Sequence, residues 1–206
     1  MSRRTLLVLA HPRSDSLTAQ VAGRTRRLLE AAGGSVDLLD LYAEDFDPRL
    51  TPADEPDWTD REKQYSPEVR AHMRRIEDAD DVIVVFPVWW FAPPAVLKGW
   101  IDRVWNYGFA YGRSRPRLAG KRLLWVALAG GSEASALTDA LELQLTRGVS
   151  EFCGIGRTEF RFLFGTEFSG IPENLRGERA REVFAEAEAA VSAFTAGADA
   201  LAPTPA

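Results

Sequence analysis

The chain has one cysteine, Cys153, and two histidines among its 206 residues. A lone thiol excludes an internal disulfide and any cysteine-based metal cluster, and it fits a reducing compartment. Cys153 sits in FCG between apolar neighbours, the setting of a buried structural thiol rather than a nucleophile. No metal is expected. Two nucleotide signatures are also missing. There is no GxxxxGK[ST], and no GxGxxG follows a strand; Gly154 and Gly156 precede a strand-like run instead. No stretch approaches the ~20 apolar residues that span a bilayer, so no membrane insertion is expected. The opening SRRTLLVLA places two arginines before an apolar run, as a secretory signal does. His11, Pro12 and Arg13 stop that run short of the ~7 to 15 residues of a signal core, so it reads as the first strand and the protein as cytoplasmic. An excess of one charge sign is lacking too: the formal charge of -5 is dispersed among mixed signs, which argues against nucleic acid or an anionic membrane as partner. The acidic stretch 53–60 reads as a solvated surface loop.

What is present is enough for a core. With 46% hydrophobic and 27% charged residues, this length suits one domain, expected over residues 1–200, with 201–206 a frayed tail. Strand-like apolar runs recur at 5–10, 35–40, 81–86, 122–128 and 158–164. Helical patterns separate them at 16–32, 67–78, 94–105, 134–150 and 175–195, with Ser16 as a cap and Gly33 and Gly34 as a stop. The run ADDVIVVF has no polar alternation, so it reads as a strand buried on both faces of a parallel sheet. Alternating strands and helices imply right-handed crossovers, and five such strands suit an α/β doubly wound parallel sheet of order 2-1-3-4-5 with helices on both faces.

Ligands of that architecture bind beyond the carboxyl ends of the strands, near the switch between strands one and three. Those ends carry AHPRSDSLT, FPVWWF and LAGGSEAS. Around His11, Ser16, Leu17 and Thr18, hydroxyls and amides at a helix start suit a phosphate. Trp89, Trp90 and Phe91 are consecutive and cannot all point inward, so at least one faces the crevice, where a flat ring can lie. Gly130 and Gly131 permit close backbone approach. Pro93 and Pro94 set the start of the helix 94–105, whose apolar positions fall on more than one stripe, more than one sheet face needs. The acidic, proline-rich segment 42–66 is long for a connection and is expected to fold over the crevice or onto a partner subunit.

These residues resemble a family, the flavodoxin-like NAD(P)H quinone oxidoreductases, which include DT-diaphorase, modulator-of-drug-activity reductases and ancillary reductases of potassium efflux systems. The resemblance covers nearly the whole chain and rests on AHPRSDSLT, DLYAEDFDPRL, FPVWWFAPPAVLKGWIDRVWNYGFAYG, VALAGGS and FCGIG in matching order. It implies homodimers, a tightly bound FAD, with FMN as alternative, and two-electron reduction of quinones or similar aromatic acceptors by NADH or NADPH. Carried over by position, it puts His11, Ser16, Leu17 and Thr18 around the flavin phosphates. Pro87, Val88, Trp89, Trp90 and Phe91 would border the ring, and Ala129, Gly130 and Gly131 its pyrimidine side. Trp90 and Phe91 with Tyr107, Phe109 and Tyr111 would wall the substrate pocket. At the positions where the DT-diaphorase branch has an assisting tyrosine and histidine, this chain has Ala136 and Glu142, so charge on the reduced ring falls to backbone amides such as those of Gly130 and Gly131. Two other readings are a flavin-binding regulatory subunit of a partner such as a transport system, and a one-electron carrier of flavodoxin type.

Overall fold

The computed structural model describes residues 3–131, 133–169 and 172–197; the expected tail at 201–206 lies outside them. Five strands, β1 (Arg4–Leu9), β2 (Ser35–Asp40), β3 (Asp81–Pro87), β4 (Arg122–Leu128) and β5 (Arg157–Leu163), form one sheet in the order β2-β1-β3-β4-β5. Every pairing is parallel. The helices between and after them are α1 (Leu17–Ala31), α2 (Pro67–Asp78), α3 (Ala95–Val104), α4 (Ala136–Leu143) and α5 (Glu173–Ala196). This is the strand order and class expected above.

Every residue of β3 and β4 is buried, whereas the edge strands β2 and β5 are mostly half-covered. The cause is a two-sided sheet: alternate side chains feed opposite cores. Leu6, Val8, Val82, Val84, Phe86 and Trp125 pack with α2 and α3 on one face, while Leu7, Ile83, Val85, Leu124 and Val126 pack with α1 and α5 on the other. Trp125 sits in the first core and donates its indole N–H to Ser150 Oγ at 3.1 Å.

Three expectations change. The helix expected over 134–150 is α4 followed by a π-helical segment, Gln144–Glu151. Widening the turn lets the buried Ser150 bond the Leu145 carbonyl at 2.7 Å as well as Trp125, satisfying a polar group that an α-helical repeat would place elsewhere. The stretch 53–60 is not all solvated, because Asp54 is fully buried. It pairs with Arg103 of α3 at 2.8 Å and accepts the Ser66 amide at 2.8 Å. Burial pushes its carboxyl up, but the hydrogen bonds from Arg103 and Ser66 outweigh this and hold it below the ordinary carboxylate value.

The segment 42–66 accordingly folds back on α2 and α3 instead of over the crevice. Phe46 enters the core, edge-on to His72 at 5.1 Å and beneath the Arg103 guanidinium at 5.0 Å. The second apolar stripe of α3 is therefore covered partly by the chain's own residues. Gly99 makes this possible, since a β-carbon there would lie 2.3 Å from the Pro48 carbonyl oxygen and 2.4 Å from Pro48 Cβ. Gly99→Ala is expected to destabilise the protein by about 1–3 kcal/mol through overpacking. On a free helix face the same change would stabilise by up to ~1 kcal/mol. Urea unfolding reads the sign, and a raised midpoint would mean that Pro48 is not docked there.

Candidate flavin crevice

The first turn of α1 is the best-defined part of the site. Ser16 caps it: its hydroxyl accepts the Ala19 amide at 3.1 Å and its carbonyl the Gln20 amide at 2.9 Å. The amides of Leu17 and Thr18 then stand at the helix start with the positive end of the helix dipole behind them, the usual setting for an anion. His11 lies beside them. Its Nδ1 accepts the Arg13 amide at 3.1 Å, so the proton of the neutral ring is assigned to Nε2. Burial lowers the imidazole below its usual value, which keeps it neutral near pH 7 and leaves an N–H donor for an acceptor in the crevice.

At the end of β3 the chain turns back within two residues. Trp89 and Ala92 exchange backbone hydrogen bonds of 3.1 and 3.0 Å, and the two central residues, Trp90 and Phe91, have φ of 52° and 57°. Left-handed φ at both central positions marks a type I′ turn, which usually takes Asn-Gly. Here two bulky aromatics occupy it, a stored local strain. Trp89 falls toward the crevice, edge-on to His11 at 5.9 Å, while Trp90 is 96% exposed and Phe91 51%.

Beyond β4, the loop is tied to the strand-five side by Gly165 N–H to the Gly131 carbonyl at 2.7 Å and Thr166 N–H to the Ala129 carbonyl at 3.1 Å. This brings Thr166 and Glu167 to the crevice, which sequence reasoning missed. A β-carbon on Gly130 would lie 3.1 Å from Glu167 Cβ, so the missing side chain keeps that wall open.

The result is a crevice of about 350 Å³ at the carboxyl ends of the strands. It collects His11, Ser16, Leu17, Thr18, Pro87, Val88, Trp89 and Gly130 from the expected residues, and adds Arg13, Leu128, Thr166 and Glu167. Arg13 stood within the motif already singled out. Thr166 and Glu167 had no local signal beyond following a strand. Ala129 is buried just behind the crevice and Gly131 has no neighbour crowding it.

Trp90 and Phe91, expected to border the ring, do not line the crevice, and the other expected residues lie elsewhere in the chain. Phe109 is buried in the core. Tyr107 and Tyr111 pair with each other after α3, Tyr107 against Trp58 at 6.4 Å and Tyr111 against Phe152 at 5.3 Å. Ala136 starts α4 behind the Ser135 cap, and Glu142 is exposed on its far side, so neither lines the crevice. Cys153 is buried and its thiol pushed up to about 12 by burial, which keeps it protonated. Among the described residues no group of three His, Cys, Asp or Glu is placed to hold a metal ion, and no helix is long and apolar enough to cross a membrane.

A flavin fits this arrangement. A row of N–H and O–H donors at a helix start answers a phosphate, an aromatic wall answers a flat ring, and a side-chain-free glycine leaves room beside it.

The chain is 42% identical over 168 residues to the uncharacterized NAD(P)H oxidoreductase YcaK of Escherichia coli K12, covering 80% of this chain and 85% of that one. It is 28% identical over 202 residues to NAD(P)H dehydrogenase [quinone] 1 of Cavia porcellus, covering 85% and 73%. The structure superposes on an NAD(P)H:quinone oxidoreductase from Methanothermobacter marburgensis with a TM-score of 0.82 at 22% identity, covering 95% and 98%. It also matches the general stress protein 14 of Treponema denticola, solved in complex with FMN, with a TM-score of 0.64 at 23% identity, covering 94% and 98%. Residues 3–187 match the family described by its flavodoxin-like fold, and the chain belongs to that family.

Proposed function

We propose that the protein is a flavin-dependent NAD(P)H oxidoreductase that passes hydride to quinones or similar aromatic acceptors. The observation that carries this reading is the joining of a capped, donor-rich helix start to an aromatic turn across the β1/β3 switch point, in a chain whose relatives are named NAD(P)H oxidoreductases and quinone dehydrogenases. When bound, the flavin supplies a ring that accepts and then donates hydride. The chain's own residues bind and orient. The Leu17 and Thr18 amides, the Ser16 hydroxyl and the His11 Nε2–H would hold the phosphate end; Pro87, Val88 and Trp89 would border the ring on one side and Ala129, Gly130 and Gly131 on the other. With Ala136 and Glu142 off the crevice, developing negative charge would be met by backbone amides. FAD is the favoured cofactor, with FMN as alternative, and NADH or NADPH the donor.

The substrate pocket proposed for Trp90, Phe91, Tyr107, Phe109 and Tyr111 would need a second copy, because the tyrosines stand apart from the crevice of their own chain. A homodimer is supported by exposed Leu50, Trp58 and Phe152 around an apolar cleft of about 340 Å³. Trp105, whose buried indole N–H has no hydrogen-bond partner among the described residues, lines the same cleft. Phe109 would then support the tyrosines from beneath rather than touch substrate. A cytoplasmic location fits the lone buried thiol.

The visible spectrum of the purified protein, followed by chromatography of the released chromophore and its mass in solution, tests the reading. A flavin band, an FAD or FMN peak and a two-chain mass are expected. A colourless protein that takes up neither flavin would sink the enzyme assignment, and a one-chain mass at micromolar concentration would sink the shared pocket.

A further inference from the structure

One cavity carries charge against the sign of the whole chain. The protein has a formal charge of -5, yet a cavity of about 340 Å³ between α2, residues 61–65 and residues 107–117 is lined by Arg61, Lys63, Arg70, Arg74, Arg113 and Arg117 against only Glu62 and Glu77. Both carboxylates are taken: Glu62 pairs with Arg113 at 2.6 Å and Glu77 with Arg117 at 3.2 Å. The other cations have uncharged partners at best. Arg61 donates to Tyr107 Oη at 3.2 Å, Lys63 to the Glu55 carbonyl at 2.6 Å and Arg70 to the Gln64 amide oxygen at 3.3 Å. The Arg74 side chain makes no hydrogen bond or ion pair among the described residues. Arg70 and Arg74 also stand one turn apart on α2, a like-charge spacing that works against the helix and that an anion between them would relieve.

The wall behind these side chains is built rather than loose. Gly108, at φ +80°, lies so close to residue 61 that a β-carbon would come within 2.2 Å of the Arg61 carbonyl oxygen. The Tyr65 hydroxyl donates to the Tyr107 carbonyl at 2.8 Å. Arg113 donates to the Gly108 carbonyl, and to that of Arg61 at 3.1 Å. These bonds pin residues 61–65 to the corner after α3, so the guanidinium groups project from a fixed backbone. None of the flavin-crevice residues lines this cavity.

We propose that this cavity binds the phosphate chain of a small di- or triphosphate compound. Guanidinium groups grip phosphate oxygens in pairs and with charge-assisted hydrogen bonds. Several closely spaced negative charges match the unbalanced cations, which a single carboxylate or phosphate would not. The chain's overall negative charge disfavours a long nucleic acid. Inorganic triphosphate and a nucleoside triphosphate share this chemistry.

Calorimetric titration of inorganic triphosphate, and separately of ATP, into protein saturated with FMN tests the site, the flavin being present so that the crevice cannot account for the heat. One saturable site is expected, with affinity falling as salt rises. The double variant Arg70→Gln/Arg74→Gln on α2, and Arg117→Gln on the facing wall, should each weaken binding by roughly tenfold or more. Flavin content, helicity and quinone reduction should stay unchanged. Tighter binding of ATP than of triphosphate would identify the nucleoside compound as the ligand, and equal binding the phosphate chain alone. Absence of saturable heat, binding that neither variant weakens, or equal binding of sulfate at matched ionic strength would each overturn the proposal. The readout stands whether or not the flavin reading does, because the arginine variants line this cavity and not the crevice, and so assign the heat to it with or without flavin.

Discussion

Trp90→Asn combined with Phe91→Gly should raise stability while lowering quinone reduction. The wild-type turn holds two consecutive bulky residues at positive φ, each a cost of order 1–3 kcal/mol. Asn-Gly adopts the same turn without that cost, and its mutual backbone bonds between Trp89 and Ala92 can stay in place. Little burial is given up in exchange, because Trp90 is almost fully exposed and Phe91 half exposed. A net gain of about 1–3 kcal/mol in unfolding free energy is therefore expected. The activity should move the opposite way. If these rings border the ring or the acceptor, losing them misplaces the reactants and lowers kcat/KM by roughly tenfold to a hundredfold. Urea unfolding beside steady-state NADPH oxidation with a quinone measures both. A fall in stability would mean that no strain is held in the turn, and unchanged kcat/KM would remove Trp90 and Phe91 from the site.

The second large effect lies at the opposite end of the sheet. Asp81 begins β3 fully buried and binds two arginines. Arg3 donates to its oxygens at 2.7 and 2.9 Å, and Arg122 at 2.6 and 2.7 Å. Arg122 is itself buried, bonds the Phe194 carbonyl at 3.0 Å and lies 4.7 Å over the Phe194 ring, which ties β3 and β4 to the end of α5. Asp81→Asn leaves that guanidinium buried without its counter-charge, a loss of about 3–5 kcal/mol. For a protein of this size each kcal/mol shifts the midpoint by roughly 2–4 °C.

The pH dependence has a definite sign. Burial pushes the Asp81 carboxyl up, but hydrogen bonds from Arg122 and Arg3 outweigh it and hold the group below its ordinary value. A carboxyl depressed in the folded state contributes stability that is fully present above the unfolded value, near pH 4, and is lost as pH falls through the folded value. The gap between wild type and Asp81→Asn should thus be widest near neutrality and narrow in acid. Denaturant melts at pH 7 and near pH 3 measure it; a gap that stays constant would show that Asp81 is not the ionised partner of Arg122.

Both predictions depend on features that differ in how plainly the chain announces them. β3 and β4 were readable because strands buried on two faces must be apolar at every position, and the helix starting at Leu17 because Ser16 is a local cap. The phosphate end of the crevice was readable for the same reason, since its donors lie within a few residues of one another. Asp54 was misread as solvated because its burial depends on Arg103, far along the chain, and charge pairing across that distance leaves no local pattern. The left-handed backbone at Trp90 and Phe91 ran against residue preference, so preference could not reveal it.

Local chemistry, then, carried the class of the protein: apolar runs dictated which segments enter a sheet, caps and glycines dictated where helices begin and end, and the alternation of strand and helix suited a doubly wound parallel sheet. Tertiary packing settled what faces what. It brought Thr166 and Glu167 to the crevice through the β4–β5 register, folded residues 42–66 onto α3 through a notch at Gly99, and kept Tyr107 and Tyr111 away from the crevice of their own chain. Those outcomes rest on contacts between residues distant in sequence, whose free energies exist only once the chain has closed around its sheet.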